Sequence, residues 1–315
     1  MPKGRTATRV LRVVFLVAVA AGAGVALYRL WPEVSASLAR VSWAGLCLSA
    51  VLALGFQVTG MFAWRRTLDE LGSRLPAGSA AHIYLVSQLG KYVPGSVWAG
   101  VAMVRLGREA AVPAARMAFS YLLATAFSLL TGLTIGVPAL IVYGSYLPLA
   151  LATLGVLGVI LLWPRALNAI LNLGLRLARR GRLEQPLSGR GIVRIVGLYL
   201  VTWIVGGLHV WALSVAVGGK ALPSLFPSIA AFTVASALGV LVVLAPAGAG
   251  VRDVLMVLIL TPVTGAAAAT AVAVLSRGLL TVLDLAGGGI AGLAWRPAPD
   301  PEARQADPRP TGSAG

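Results

Sequence analysis

The chain has 315 residues, of which 58% are hydrophobic and 11% charged, against about 25% charged in soluble domains, which excludes an ordinary soluble protein. Lys and Arg number 26 against 10 Asp and Glu, a net charge of +16; beside long apolar runs, that excess belongs to loops flanking membrane segments rather than to a nucleic-acid surface. One cysteine, Cys47, and two histidines, His82 and His209, permit no intramolecular disulfide and no zinc cluster, so no metal and no cofactor is expected.

A bilayer core of about 30 Å takes roughly 20 apolar residues in helix, and only helices or closed barrels satisfy the backbone there. Uncharged runs occur in chain order at Val13–Tyr28, Val41–Trp64, Ala118–Tyr143, Tyr146–Trp163, Ile195–Val217, Ala221–Val251 and Val254–Ser276, with Gly278–Trp295 interrupted only by Asp284. No alternating barrel pattern is present. The reading is an all-α polytopic membrane helix bundle of about seven to nine membrane elements, two of them broken by Pro and Gly or re-entrant. The first run is short and follows Lys3, Arg5, Arg9 and Arg12, so a secretory signal peptide competes with a transmembrane helix. Arg29 and Trp31 extend the span by snorkelling and interfacial anchoring, and the helix is preferred.

Orientation follows from cations in short loops. The segment 1–12 holds four, Arg65–Arg74 three, Arg105–Arg116 three and Arg165–Arg194 seven, against two in Arg29–Arg40 and Lys220 alone in the Gly218–Ser224 turn. The first group is expected in the cytoplasm, with the protein in the plasma membrane. Both flanks of Leu75–Val104 are then cytoplasmic, which makes this stretch a re-entrant hairpin. The membrane domain spans 13–295, in halves 13–175 and 192–295 joined by a basic loop at 176–191, and 296–315 reads as a disordered tail.

Two interrupted segments carry the chemistry. The first is Gly90-Lys91-Tyr92-Val93-Pro94-Gly95-Ser96; the second is Leu244-Ala245-Pro246-Ala247-Gly248-Ala249-Gly250-Val251-Arg252-Asp253. Each places Pro and Gly in an apolar stretch, adds a cation, and is followed by a short apolar segment and then a long one, the pattern an internal duplication would leave. A break of this kind turns helix N-terminal N–H groups toward a cavity, and with Lys91 and Arg252 it suits a phosphate. Candidate ligand-binding residues are therefore Lys91, Tyr92, Pro94, Gly95, Pro246, Gly248, Gly250, Arg252 and Asp253. Arg277 and Asp284 lie seven residues apart on one face of the last long helix. They are candidates for a structural pair or for coupling, with each other or with Asp253 and Arg252 across the bundle. Gln57, Gln88, His82 and His209 read as interhelical hydrogen-bonding residues. Gly132–Gly136 and Gly288–Gly292 read as close-packing patterns. No Walker loop, paired-acid motif or Ser/His/Asp set is found, so no catalytic residue is assigned and no enzyme is expected.

The motifs at Ser87–Gly95 and Ala245–Asp253 resemble the two signature segments of the lysyl-phosphatidylglycerol synthase transmembrane-region family, also called flippase-like proteins. Asp253 stands where that family usually has Glu, and Ala247 where it usually has Gly. The resemblance covers roughly residues 10–295 and implies a membrane domain, standing alone without the aminoacyl-transferase domain, that moves lipid between leaflets. The expected function is binding and translocation of an anionic, phosphate-headgroup lipid, a phospholipid or polyprenyl phosphate. The alternatives are a lipid-presenting partner of a membrane glycosyltransferase or lipid-synthesis enzyme, and a lipid-modifying enzyme using Asp253 and Asp284. The oligomeric state is open. The topology is tested by labelling Arg182→Cys in a Cys47→Ser background: the thiol is expected to react from the cytoplasmic side only, and labelling from outside intact cells would reverse the assignment.

Overall fold

The structure is a computed structural model, and it describes residues 31–32, 34–93, 97–143, 187–241, 248 and 250–294, with scattered positions between 149 and 172. The expected helix at Val13–Tyr28, most of Tyr146–Trp163, most of the loop 176–191 and the tail 296–315 lie outside the described residues. The described elements are α1 (Trp43–Glu70), α2 (Ala77–Gln88), a 3-10 turn (Leu89–Tyr92), α3 (Trp98–Glu109), α4 (Ala114–Tyr143), α5 (Gly189–Ala216), α6 (Ala221–Leu241), α7 (Val251–Thr264) and α8 (Ala266–Ala294). No strand occurs among them. The protein is an all-α polytopic bundle, and α1, α4, α5, α6 and α8 are long and apolar enough to cross a membrane.

Local chemistry explains where the elements start and stop. Ser42 caps α1 by accepting the Gly45 N–H at 3.4 Å, and Ser188 caps α5 by accepting the Gly191 N–H at 2.9 Å. Helix α5 therefore begins inside what the sequence reads as a basic loop, and Arg190 and Arg194 belong to its first turns. The Glu70 carboxylate offsets that basic helix start, with its Oε2 accepting the Ser188 hydroxyl at 3.1 Å. The last long helix, α8, carries both Arg277 and Asp284 and passes through Arg277 unbroken, because a charged side chain does not interrupt a backbone ladder; it is parted from α7 at Gly265, whose φ of +83° other residues rarely adopt.

The two halves repeat one order of elements. A 28-residue helix (α1, α5) is followed by a helical hairpin (α2–α3, α6–α7) and then a helix of about 30 residues (α4, 30; α8, 29). The leading helices run antiparallel against each other: Ser42 N–H donates to Ala216 O at 3.0 Å at one end, and Glu70 meets Ser188 at the other. Each hairpin starts and finishes at one end of the bundle. In the first half Arg65 Nε donates to Leu75 O at 2.8 Å and Arg116 Nη1 to Ser73 Oγ at 2.9 Å. In the second, Gly219 lies beside Thr264, whose Cγ2 would stand 3.4 Å from an added Cβ. The halves are thus inverted relative to each other, an arrangement found in membrane carriers built from inverted repeats. At 12 residues each, α2 and α3 rise about 18 Å, too short to cross a bilayer core.

Two apolar cores flank a polar layer. One gathers Trp64, Leu68, Ile83, Met117 and Ile192, the other Val210, Leu213, Phe232, Met256 and Val272. Outward, α1 exposes Leu48, Val51, Leu54, Val58 and Phe62 at helical spacing, an apolar stripe suited to lipid contact. The α1–α5 seam depends on small residues, since a Cβ on Gly45 would stand 2.6 Å from Ala216 Cβ, whereas Gly197 on the same pair of helices has open space. Gly45→Ala is expected to lower stability by about 1–3 kcal/mol, before the gain of up to about 1 kcal/mol in helix propensity that Gly197→Ala should show alone. Thermal unfolding in detergent measures both.

Candidate functional site

Between the two cores lies a cavity of about 320 Å³. It receives the turn of the first hairpin through Lys91 and Tyr92, the turn of the second through Gly248 and Arg252, and helix α8 through Arg277 and Asp284. The tips of hairpins entering from opposite ends of the bundle therefore share one cavity.

Asp284 is 3% exposed, and its carboxylate needs donors to compensate for lost water. Two elements supply them, the 3-10 turn and α1. Lys91 Nζ stands 2.6 Å from Oδ2, Tyr92 donates its hydroxyl to Oδ2 at 2.6 Å, and Gln57 Nε2 of α1 donates to Oδ1 at 2.9 Å. Lys91 also reaches Gln88 Oε1 at 3.4 Å, and the Tyr92 hydroxyl lies 3.3 Å from Thr281 Oγ1. Gln57 and Gln88, read from the sequence as ordinary interhelical bonding residues, thus belong to the site.

The second acid, Asp253, sits in the first turn of α7. Its Oδ2 accepts the Gly250 N–H at 3.1 Å, and Arg277 grips it with Nε 2.9 Å from Oδ1 and Nη2 2.8 Å from Oδ2. The guanidinium thus lies side-on to the carboxylate, hydrogen-bonded through Nε and paired by charge through Nη2. Gly248 and Gly250 take φ of +67° and +85°, and a Cβ on Gly248 would stand 3.1 Å from Gly239 Cα. Glycine there lets the second break press its backbone onto α6.

Arg252 points the other way. Its Nη2 donates to Ser276 Oγ at 3.3 Å, its guanidinium lies 5.4 Å from the centre of the Phe232 ring, and its buried Nε has no hydrogen-bond partner. Ser276 is also 3.0 Å from His209 Nε2, while His209 Nδ1 meets Ser49 Oγ at 2.7 Å and Ser49 O at 3.1 Å. A neutral His209 with its proton on Nδ1 satisfies this chain: Nδ1–H donates to Ser49, Nε2 accepts the Ser276 O–H, and the Ser276 oxygen accepts from Arg252. Among the described residues no carboxylate is within ion-pair reach of Arg252.

Of the pairings that the sequence leaves open, the structure makes Arg277 with Asp253 across the bundle. Arg277 and Asp284 do not pair with each other, and Asp284 does not meet Arg252. Arg277 takes Asp253 and Lys91 takes Asp284, because α7 and the first hairpin turn approach opposite flanks of α8. Of the groups expected to face a phosphate, Lys91 is engaged by Asp284, and the α7 N-terminal N–H at Gly250 by Asp253. Pro94, Gly95 and Pro246 lie outside the described residues. Ser276, Thr281 and the aromatic residues Trp64, Tyr84, Tyr121 and Trp203 escape a sequence reading, since nothing along one helix marks them as meeting across five.

Lys91→Ala leaves Asp284 buried with two neutral donors. It is expected to lower stability by about 3 kcal/mol, the low end for breaking a buried pair, because Gln57 and Tyr92 stay in place. Adding Asp284→Asn should recover most of that loss in a thermal-unfolding series.

No curated protein matches the chain. Residues 10–288 match the family described as lysylphosphatidylglycerol synthase TM region, nearly the whole of the membrane domain and both hairpins of the site. With that match added to two inverted helical halves closing on one charged cavity, the chain belongs to the lysylphosphatidylglycerol synthase TM region family.

Proposed function

We propose that this protein binds the phosphate headgroup of an anionic membrane lipid in the cavity between the two hairpin tips and carries it from one leaflet to the other. The single observation behind this reading is Arg252. Three cations, Lys91, Arg252 and Arg277, face two carboxylates, and each carboxylate is held by one of the other two cations. One positive charge is left in the cavity with a buried, unpartnered Nε. An uncompensated charge at membrane depth costs about 2.5–3.5 kcal/mol on insertion scales, and an anionic ligand removes that cost.

Hairpins entering from opposite ends give the site a route toward each leaflet, as alternating access requires. In this reading the α2–α3 hairpin is re-entrant. Its open end carries Arg65, Arg66, Arg74, Arg105, Arg108 and Arg116, and the start of α5 with Arg190 and Arg194 lies beside it. We read that end as the cytoplasmic one in the plasma membrane, because basic loops resist translocation, and the N-terminus, with Lys3, Arg5, Arg9 and Arg12, as cytoplasmic on the same ground. The protein acts as a carrier rather than an enzyme, since Asp253 and Asp284 are both tied into ion pairs. A lipid-synthesis enzyme or glycosyltransferase is the kind of partner that would deliver or receive the cargo.

Arg252→Ala removes a charge without stranding an acid. It is expected to leave the fold intact while abolishing transfer of a fluorescently labelled anionic phospholipid in reconstituted vesicles. Arg252→Lys should restore it only in part, because the planar fork is lost. Undiminished transfer by Arg252→Ala would overturn the proposal.

A further inference from the structure

Behind Arg252 stands a residue that the proposed function does not use. His209 of α5 is fully buried, and both groups that Arg252 touches lean on it. The Ser276 hydroxyl is 3.0 Å from its Nε2. The Phe232 ring, over which the guanidinium lies, stands nearly perpendicular to the imidazole, with ring centres 6.0 Å apart and planes at 78°. Gly206, one turn earlier on α5, leaves the space that the Phe232 ring occupies, so the same face of α5 seats the ring and supplies the imidazole behind it.

Two backbone carbonyls fix the direction of every proton in this chain. Ser49 Oγ lies 3.1 Å from His209 O, which can only accept, so the Ser49 hydroxyl proton goes there. Ser49 Oγ then has only lone pairs for His209 Nδ1 at 2.7 Å, and Ser49 O, another pure acceptor, lies 3.1 Å from the same nitrogen. Nδ1 therefore carries the proton and Nε2 is an acceptor, which Ser276 meets with its hydroxyl proton. Other buried helix hydroxyls, such as those of Ser214 and Thr233, turn back to a carbonyl of their own helix. Ser276 bonds only His209 and Arg252 among the described residues. With its proton held by His209, it presents a lone pair to Arg252 Nη2 at 3.3 Å.

We infer that His209 is a positioning residue for Arg252: by fixing Ser276 as an acceptor and backing the Phe232 ring, it holds the guanidinium in the pose that meets the headgroup phosphate. The inference rests on the phosphate reading of the proposed function and adds to it a residue that touches no ligand. A guanidinium on a long, flexible stem that is left unanchored has to be ordered by the ligand itself, which weakens binding. As a mere link between α5 and α1, His209 would need only its bonds to Ser49. As a positioning residue it needs its acceptor toward Ser276. The two requirements fall on different nitrogens, so they can be separated.

The test is transfer of the fluorescently labelled anionic phospholipid in vesicles reconstituted with the full chain, followed over a range of labelled-lipid content and paired with thermal unfolding in detergent. His209→Asn places an amide N–H where Nδ1 stands and removes the acceptor toward Ser276; His209→Gln places an amide oxygen where Nε2 stands and removes the donor toward Ser49. His209→Asn is expected to need about tenfold more labelled lipid for half-maximal transfer, the loss of one hydrogen bond to a charged group, with its maximal rate and melting temperature close to those of wild type. His209→Gln is expected to regain most of that affinity although its melting temperature falls. Ser276→Ala, which leaves the bonds to Ser49 in place, should match His209→Asn, and combining the two should add nothing further. Wild-type lipid dependence in both His209→Asn and Ser276→Ala, or a loss in His209→Gln as large as in His209→Asn, would overturn the inference, and the phosphate reading would still stand if Arg252→Ala abolishes transfer. Undiminished transfer by Arg252→Ala would overturn both.

Discussion

A carboxylate enclosed between apolar helices must be given donors from the protein, and the arrangement of the cavity depends on how Asp284 obtains them. Gln57 comes from a long helix and is held by that helix's own packing. Lys91 and Tyr92 come from a 3-10 turn between two helices of 12 residues each, which have little length over which to anchor themselves. The bonds to Asp284 fix this turn against α8, with support from His82 Nδ1, 2.8 Å from Ala291 O further along the same helix. The same bonds occupy the lysine, so the acid that positions the first break also removes its charge from the cavity.

The second break is positioned differently, by close packing of backbone. Gly248 lies against Gly239 of α6, and the Asp253 side chain folds back onto the Gly250 N–H while Arg277 holds its far side. Asp253 is thereby withdrawn from its sequence neighbour. Arg252, one residue earlier, leaves α7 about 100° around the helix and projects toward Phe232 and Ser276. The relay through Ser276 and His209 to Ser49 joins α7, α8, α5 and α1 in one line of hydrogen bonds.

The inverted halves are alike in backbone and different in chemistry. Leu129-Leu130-Thr131-Gly132-Leu133-Thr134 on α4 corresponds to Leu279-Leu280-Thr281-Val282-Leu283-Asp284 on α8. Thr134 stands opposite Asp284 in this correspondence and spends its hydroxyl on Leu130 O of its own helix at 2.7 Å. The acid is present on one side alone. Likewise Gly132, where α8 has Val282, admits the Trp203 ring. The second half thus supplies most of the charged wall of the cavity, with Lys91 added from the first, and the first half contributes Trp64, Tyr84 and Tyr121 to its aromatic lining.

The sequence by itself determined the helical class, the membrane setting, the two interrupted segments and the residues Lys91, Arg252, Asp253, Arg277 and Asp284 as exceptional. The reason is that burying backbone or charge in lipid is so costly that apolar runs, Pro-Gly breaks and isolated ionic groups stand out without neighbours. It placed helix limits less well where one serine cap decided them, as at Ser188. Only the tertiary structure decided which cation meets which acid, because several pairings are open to residues on different helices and the choice follows from which flank of α8 each hairpin approaches. It alone decided that Arg252 meets no carboxylate among the described residues and turns to Ser276 and Phe232. It alone assembled the aromatic lining too, since Trp64, Tyr84, Tyr121 and Trp203 carry no shared period along the chain and meet through the packing of four helices.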